Sequence, residues 1–173
     1  MDLMIDIETL GTGPEACILT IAAQAFDPFG HGHYDRHYYA RIDPESQPDR
    51  DIEESTLAWW ATQDTAVQEE AFSEEGRISL KQALEEMYPI IWNSKFIWAN
   101  GPTFDMNIIE HAYKSYDMQL PWKFYKVRDA RTVYSLWPGL PKQPVSHHAL
   151  DDCRQQIIKL QQTFRHLGVT EIR

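Results

Sequence analysis

Met4-Ile5-Asp6-Ile7-Glu8-Thr9, followed at once by Leu10-Gly11-Thr12-Gly13-Pro14, sets two carboxylates two positions apart in an apolar run. Alternate side chains of a β-strand share a face. Asp6 and Glu8 therefore stand together, roughly 6–7 Å apart, with Met4 at the start of the same face. Ile5 and Ile7 take the other face. Two acids on one side of a central strand are costly unless they are paired or bind metal. Either Asp6 and Glu8 are metal ligands, or the strand ends in solvent, where acids cost nothing. The rest of the chain has to decide.

With 173 residues, 43% hydrophobic and 24% charged, the chain has the composition of one soluble domain spanning 1–173. No apolar run approaches the roughly 20 residues of a membrane span, so no membrane partner is expected. Asp2, Asp6 and Glu8 interrupt the N-terminus where a signal peptide would be apolar. Cys17 and Cys153 form neither a disulfide framework nor a zinc-knuckle spacing, which makes a reducing cytoplasm the expected location. The net charge of −10 excludes a static grip on nucleic acid by phosphate neutralisation alone. It leaves room for an enzyme whose carboxylates hold divalent metal.

Residues 16–26 are β-branched and small, as in a buried strand, and Asp27-Pro28-Phe29-Gly30 is a turn. The alternation over 33–42 predicts a third strand, completing an antiparallel meander. Residues 44–51 read as a loop. Asp51 with Glu54 has capping-box spacing ahead of a short helix over 55–61, and 64–72 continues helical. Ser79 with Gln82 repeats that spacing and opens a helix through Leu80, Leu84, Met87 and Ile91, which Pro89 should kink or end. Residues 95–99 form a strand, Asn100-Gly101-Pro102 a turn, and 103–116 a helix. A short strand is expected over 124–127, a brief helix over 128–137 and a loop over 141–146. A last helix spans 149–167, with Gly168 as its stop. A strand meander followed by alternating helices and strands predicts an α/β fold: a mixed central sheet with flanking helices.

Three features join the opening acids. Asp105 follows a strand end at the first turn of a helix, where it either complements the helix dipole or faces a site. His147 stands at the start of the last helix and Asp152 about a turn inside it, and helix capping by solvated acids is the competing reading. In the predicted sheet all of these converge on the end of the first strand. The ordered set, Asp6-Ile7-Glu8-Thr9, then Asp105, then His147 five positions before Asp152, resembles the three exonuclease motifs of the DEDDh group. That group comprises 3′→5′ exonucleases with a ribonuclease H-like fold, among them proofreading exonucleases, oligoribonuclease and ribonuclease T. The Asp-Ile-Glu-Thr-Leu-Gly start, Trp59-Trp60 and Arg128-Asp129-Ala130-Arg131-Thr132 are closer still to small phage and bacterial exodeoxyribonuclease VIII-like or exoribonuclease-like proteins.

The resemblance implies phosphodiester hydrolysis at single-stranded 3′ ends, with DNA favoured and RNA next. Two divalent ions, Mg²⁺ or Mn²⁺, would be held by Asp6, Glu8, Asp105 and Asp152, with Asp6 bridging both. Such a pair clamps the attacking and leaving oxygens, and hard cations suit carboxylate oxygens. His147 is then the expected general base, since imidazole takes protons near neutral pH. The same likeness assigns Thr9 and Leu10 to the 3′ nucleotide. Asn100 and Phe104 are expected along the cleft, although a core role suits Phe104 equally. Of Trp59 and Trp60, one is expected buried and one near substrate, with Trp60 the expected binding residue. Arg128 and Arg131 contact phosphate, or Arg128 pairs with Asp129. A homodimer is expected from relatives; no residue locates its interface.

Overall fold

In the computed structural model of the protein, residues 1–141 and 146–172 are described. Five strands form one sheet in the order β3-β2-β1-β4-β5. Strands β1 (Asp2–Thr9), β2 (Ile18–Phe26) and β3 (His33–Arg41) make the expected antiparallel meander. On the other side of β1, strands β4 (Ile97–Ala99) and β5 (Val127–Asp129) run parallel to it. Helices α1 (Glu54–Trp60), α2 (Thr65–Phe72) and α3 (Leu80–Trp92) lie between β3 and β4 in sequence. Helix α4 (Pro102–Ser115) follows β4, α5 (Ala130–Ser135) follows β5, and α6 (Ala149–Leu167) closes the chain.

The period of two in β1 divides the interior. Leu3, Ile5 and Ile7 pack into one core with Leu84 and Met87 of α3 and Ile109 and Tyr113 of α4. Met4 faces the opposite core with Cys153, Ile157 and Leu160 of α6 and Tyr134 of α5. Strand β2 is buried along its whole length because helices cover both faces, whereas β3 is the exposed edge. A third cluster under α1 and α2 gathers Leu10, Cys17, Leu19, Trp60 and Ala71.

Several local expectations are corrected. Asp51 does not cap α1; it pairs with Ala16 in a parallel bridge, and Glu53 occupies the N-cap without a side-chain bond. Glu53 is instead spent on the glycine loop, accepting from the Thr12 N–H at 2.9 Å. Ser79 does cap α3 by accepting from the Gln82 N–H, but Pro89 neither ends nor precludes that helix. It sits on the exposed face, where the missing N–H leaves a carbonyl to solvent. The strand expected over 124–127 is a 3₁₀ turn, Phe124–Lys126, and β5 begins only at Val127. The helix expected from 128 starts at Ala130, because Arg128 and Asp129 belong to that strand. Of the loop expected over 141–146, residues 142–145 lie outside the described residues.

Candidate active site

Strand β1 delivers Asp6 and Glu8 to the α6 face at its C-terminal end. A register shift between Glu8 and Thr9, against Thr20 and Ile18 of β2, ends the regular ladder there. Thr9 is buried and its hydroxyl donates to the Gly11 carbonyl at 2.6 Å. Leu10 turns into the cluster beneath α1. Arg50 pins the loop beyond, with Nε donating to the Ala16 carbonyl and the guanidinium reaching Pro14 and Ile108 of α4.

Helix α4 supplies Asp105, 4% exposed, from its first turn. Gly101 just before it stands at φ 104°, in the left-handed region open to glycine, and Pro102 opens the helix. Helix α6 supplies Asp152. His148 caps that helix, its Nδ1 accepting from the Asp151 N–H at 3.3 Å. Asp152 in turn ties down the approach: Oδ1 accepts from the Ser146 N–H and hydroxyl, and Oδ2 from the His147 N–H. The sequence-predicted acids and His147 thus line one cleft of about 350 Å³, together with Asn100, Phe104, Arg131, Gln155, Gln156 and Lys159.

The electrostatics are those of a cation site. Desolvation raises Glu8 to about 8, with Asp152 and Asp105 adding repulsion. Burial raises Asp105 to about 7 against its own and the Ile7 backbone groups and, most weakly, the Arg131 charge. Asp6 is pushed well above the carboxylate range by burial, then by Asp105 and Glu8, with the Gln156 hydrogen bond opposing. Such a cluster is unfavourable unless positive charge enters it. Glu8, His147 and Asp152 each offer a ligand atom, all within 4.8 Å of one another. Gln156 donates to Asp6 Oδ1 at 2.7 Å while its own Oε1 is buried without a partner. The four carboxylates offer hard oxygen donors, which fit Mg²⁺ or Mn²⁺.

A second pocket of about 380 Å³ adjoins the cleft and shares Ile7, Glu8 and Phe104 with it, then runs past Thr9 and Thr12 to Trp59 and Trp60. Trp60 is 2% exposed, and its indole N–H donates to the Thr9 carbonyl at 2.9 Å. Trp59 is 41% exposed and meets the His147 ring edge-on, centroids 5.0 Å apart. Gln155, Gln156 and Lys159 escaped the sequence reading. All three lie three, four and seven residues beyond Asp152, so the helical period that placed Asp152 also carried their signal.

Among the described residues no helix is long and apolar enough to cross a membrane. Residues 1–164 match the family model described as 3′-5′ exoribonuclease Rv2179c-like domain. An exodeoxyribonuclease of Enterobacteria phage T4 is 24% identical, over 95% of this chain and 89% of its own. Among solved structures, Exonuclease X in complex with 5′ overhanging duplex DNA matches with a TM-score of 0.60 at 19% identity, covering 98% of this chain and 95% of that one. The nuclease domain of 3′hExo, a DEDDh family member bound to rAMP, matches with a TM-score of 0.63 at 13% identity, covering 99% and 95%. The fold is thus the ribonuclease H-like fold of DEDDh exonucleases. With its family model spanning nearly the whole chain, the protein belongs to the family of the 3′-5′ exoribonuclease Rv2179c-like domain.

Proposed function

We propose that the protein removes nucleotides one at a time from the 3′ end of single-stranded RNA, in a reaction dependent on two divalent cations. The observation that carries this reading is the convergence of Asp6, Glu8, Asp105 and Asp152 with His147 in one cleft. Those four carboxylates would hold the cations, with Asp6 buried beside both Asp105 and Glu8. Bound there, the cations would neutralise the acids, make water easier to deprotonate and stabilise charge on the leaving oxygen.

The protein's own groups do the rest. The terminal nucleoside enters the pocket toward Trp59, whose exposed ring offers a stacking face, while Trp60 serves as the buried wall behind it. Thr9 and Thr12 line its polar side and Phe104 closes the boundary with the cleft. Leu10 supports that wall from the core. His147, within reach of Glu8 and Asp152, accepts the proton of the attacking water. The water oxygen bonds to phosphorus and the bond to the upstream 3′ oxygen breaks. Products are a nucleoside 5′-monophosphate and a chain shortened by one, its new 3′ oxygen taking a proton from solvent.

The family description favours RNA, and the phage relative supports DNA as a second reading. End-labelled single-stranded RNA and DNA, incubated in parallel with Mg²⁺, Mn²⁺ or EDTA, separate the two. Single-nucleotide laddering that stops in EDTA is expected, faster on RNA. Absence of metal-dependent cleavage of either polymer overturns the enzyme reading; faster laddering of DNA overturns only the choice of sugar. Two buried free thiols, Cys17 and Cys153, suit a reducing compartment such as the cytoplasm.

A further inference from the structure

The cleft that carries the acids also has cations. Of the residues lining it, Arg131 and Lys159 are the arginine and lysine side chains. Arg131 comes from the first turn of α5, and its Nη2 donates to the Asn100 carbonyl at 2.9 Å. Its guanidinium lies against Gly101, where an added Cβ would stand 3.4 Å from Nη2. Lys159 comes from α6, with its ammonium 4.6 Å from the centre of the Tyr134 ring.

Among the described residues neither cation has an acid within ion-pairing distance. They act on each other instead: burial and then the Arg131 charge lower the Lys159 ammonium. Two cations held near one another in a chain of net charge −10 repel, and an anion between them relieves that repulsion.

The layout sets where along the substrate that anion lies. Arg131 and Lys159 line the cleft but not the adjoining pocket that leads to Trp59. With the terminal nucleoside in that pocket and the scissile phosphate at the acids, the next phosphate toward the 5′ end falls on the cation side. Resting on the exonuclease reading above, we propose that Arg131 and Lys159 form a phosphate subsite for the group one nucleotide upstream of the bond being cut. An internal phosphodiester and a terminal 5′-phosphate share that chemistry.

Three ribo-oligonucleotides, with their deoxy counterparts in parallel, test it: a dinucleotide with a 5′-hydroxyl, the same dinucleotide with a 5′-phosphate, and a trinucleotide with a 5′-hydroxyl. The first lacks the upstream phosphate, the second presents it as a terminal group and the third as an internal diester. We expect kcat/KM on the second and third to exceed the first by about tenfold or more, as for a charge-assisted contact. In the double variant Arg131→Gln, Lys159→Gln both advantages should shrink to within about twofold. Lys81→Gln, the same loss of charge on exposed α3, should keep the wild-type ratios. An advantage confined to the 5′-phosphorylated dinucleotide supports the subsite as one for a terminal phosphate. An advantage confined to the trinucleotide supports it for an internal diester.

Equal rates on all three substrates, or advantages that survive in the double variant, overturn the proposal. If the wild type cuts none of them, the exonuclease reading fails and binding decides this one. With Ca²⁺ present, the 5′-phosphorylated dinucleotide should quench tryptophan fluorescence at lower concentration than the 5′-hydroxyl form. The salt dependence of its binding should fall by about one counterion per cation removed. Indistinguishable binding of the two dinucleotides overturns it. Melting curves of the variants, run alongside, separate loss of the subsite from loss of fold.

Discussion

Asp152 Oδ2 accepts the backbone N–H of His147 at 3.0 Å, and His147 stands at φ 53°. A left-handed residue other than glycine costs roughly 1–2 kcal/mol and persists only where its surroundings hold it. Asp152 does that holding, with Oδ1 gripping Ser146 twice. In the proposed mechanism one carboxylate would serve both as a metal ligand and as the clasp that aims the base. Asp152→Ala and Asp152→Asn should each lower kcat/KM by at least about 10²-fold, in the range seen when a transition-state contact is removed. Only Asp152→Ala should also leave Ser146 without either bond, so amide exchange at His147 and His148 should quicken most there. Exchange in Asp152→Ala as slow as in the wild type would show that the turn holds itself.

The raised carboxylates make a prediction about pH. A group with a higher pKa in the folded than in the unfolded state binds more protons when folded. Its contribution to stability is complete below the unfolded value and is lost as pH rises through the folded one. For Glu8 that window runs from its ordinary value of 4.5 to about 8, and for Asp105 from 3.8 to about 7. The metal-free protein should therefore lose stability between about pH 5 and 8, each group adding a slope of at most about 1.4 kcal/mol per pH unit. Mg²⁺ should raise Tm, and raise it more at pH 8 than at pH 5. Glu8→Gln should flatten the metal-free profile. A Tm in EDTA that climbs steadily from pH 5 to 8 would contradict this sign.

The acids were legible because each sits where a period can be counted: two for Asp6 and Glu8, a helix turn for Asp152. Their partners were legible only in part. Gln156 follows Asp152 by one turn of the same helix, yet an amide has no charge to mark it as a site residue. Strand β5 holds three residues, too few for alternation to emerge, so Arg128 and Asp129 were absorbed into the neighbouring helix. Asp51 carried a capping pattern that tertiary pairing with Ala16 overrode. Leu10 could not be placed by counting along β1, because the register shift after Glu8 resets the face. Local chemistry was readable where elements are long; where a bulge or a short strand decides, it was not.

Gln156 should matter more than its neutral side chain implies. Its Nε2 donates to Asp6 Oδ1 at 2.7 Å and so orients that carboxylate, while its buried Oε1 has no partner. Gln156→Leu should weaken divalent-metal binding by about 10–100-fold, the usual effect of losing such an orienting contact. Gln156→Glu should instead bind the cation at least as tightly as the wild type at high pH, since a fifth acid adds repulsion on Asp6 that only positive charge relieves. Calorimetric titration of Mn²⁺ into each variant measures this directly. Wild-type affinity in Gln156→Leu would show that Asp6 needs no orienting partner.

The adjacent tryptophans separate stability from substrate binding. Trp60 is 2% exposed and its indole N–H is the donor to the Thr9 carbonyl, at the end of the strand that carries both acids. Trp60→Phe keeps most of the ring but leaves that buried carbonyl without a donor, which should cost about 1–3 kcal/mol. Trp59, 41% exposed, contacts the His147 ring and the mouth of the nucleoside pocket. Trp59→Ala should change Tm little and raise KM, since stacking on a base is worth about 1–3 kcal/mol. Melting curves and Michaelis kinetics on one labelled oligonucleotide read both effects. If Trp60→Phe melts with the wild type, the Thr9 bond contributes nothing to the strand end. If Trp59→Ala leaves KM unmoved, the exposed ring is not where the base lies, and the rest of the pocket's lining, Thr9, Thr12 and Phe104 among it, must bind the nucleoside.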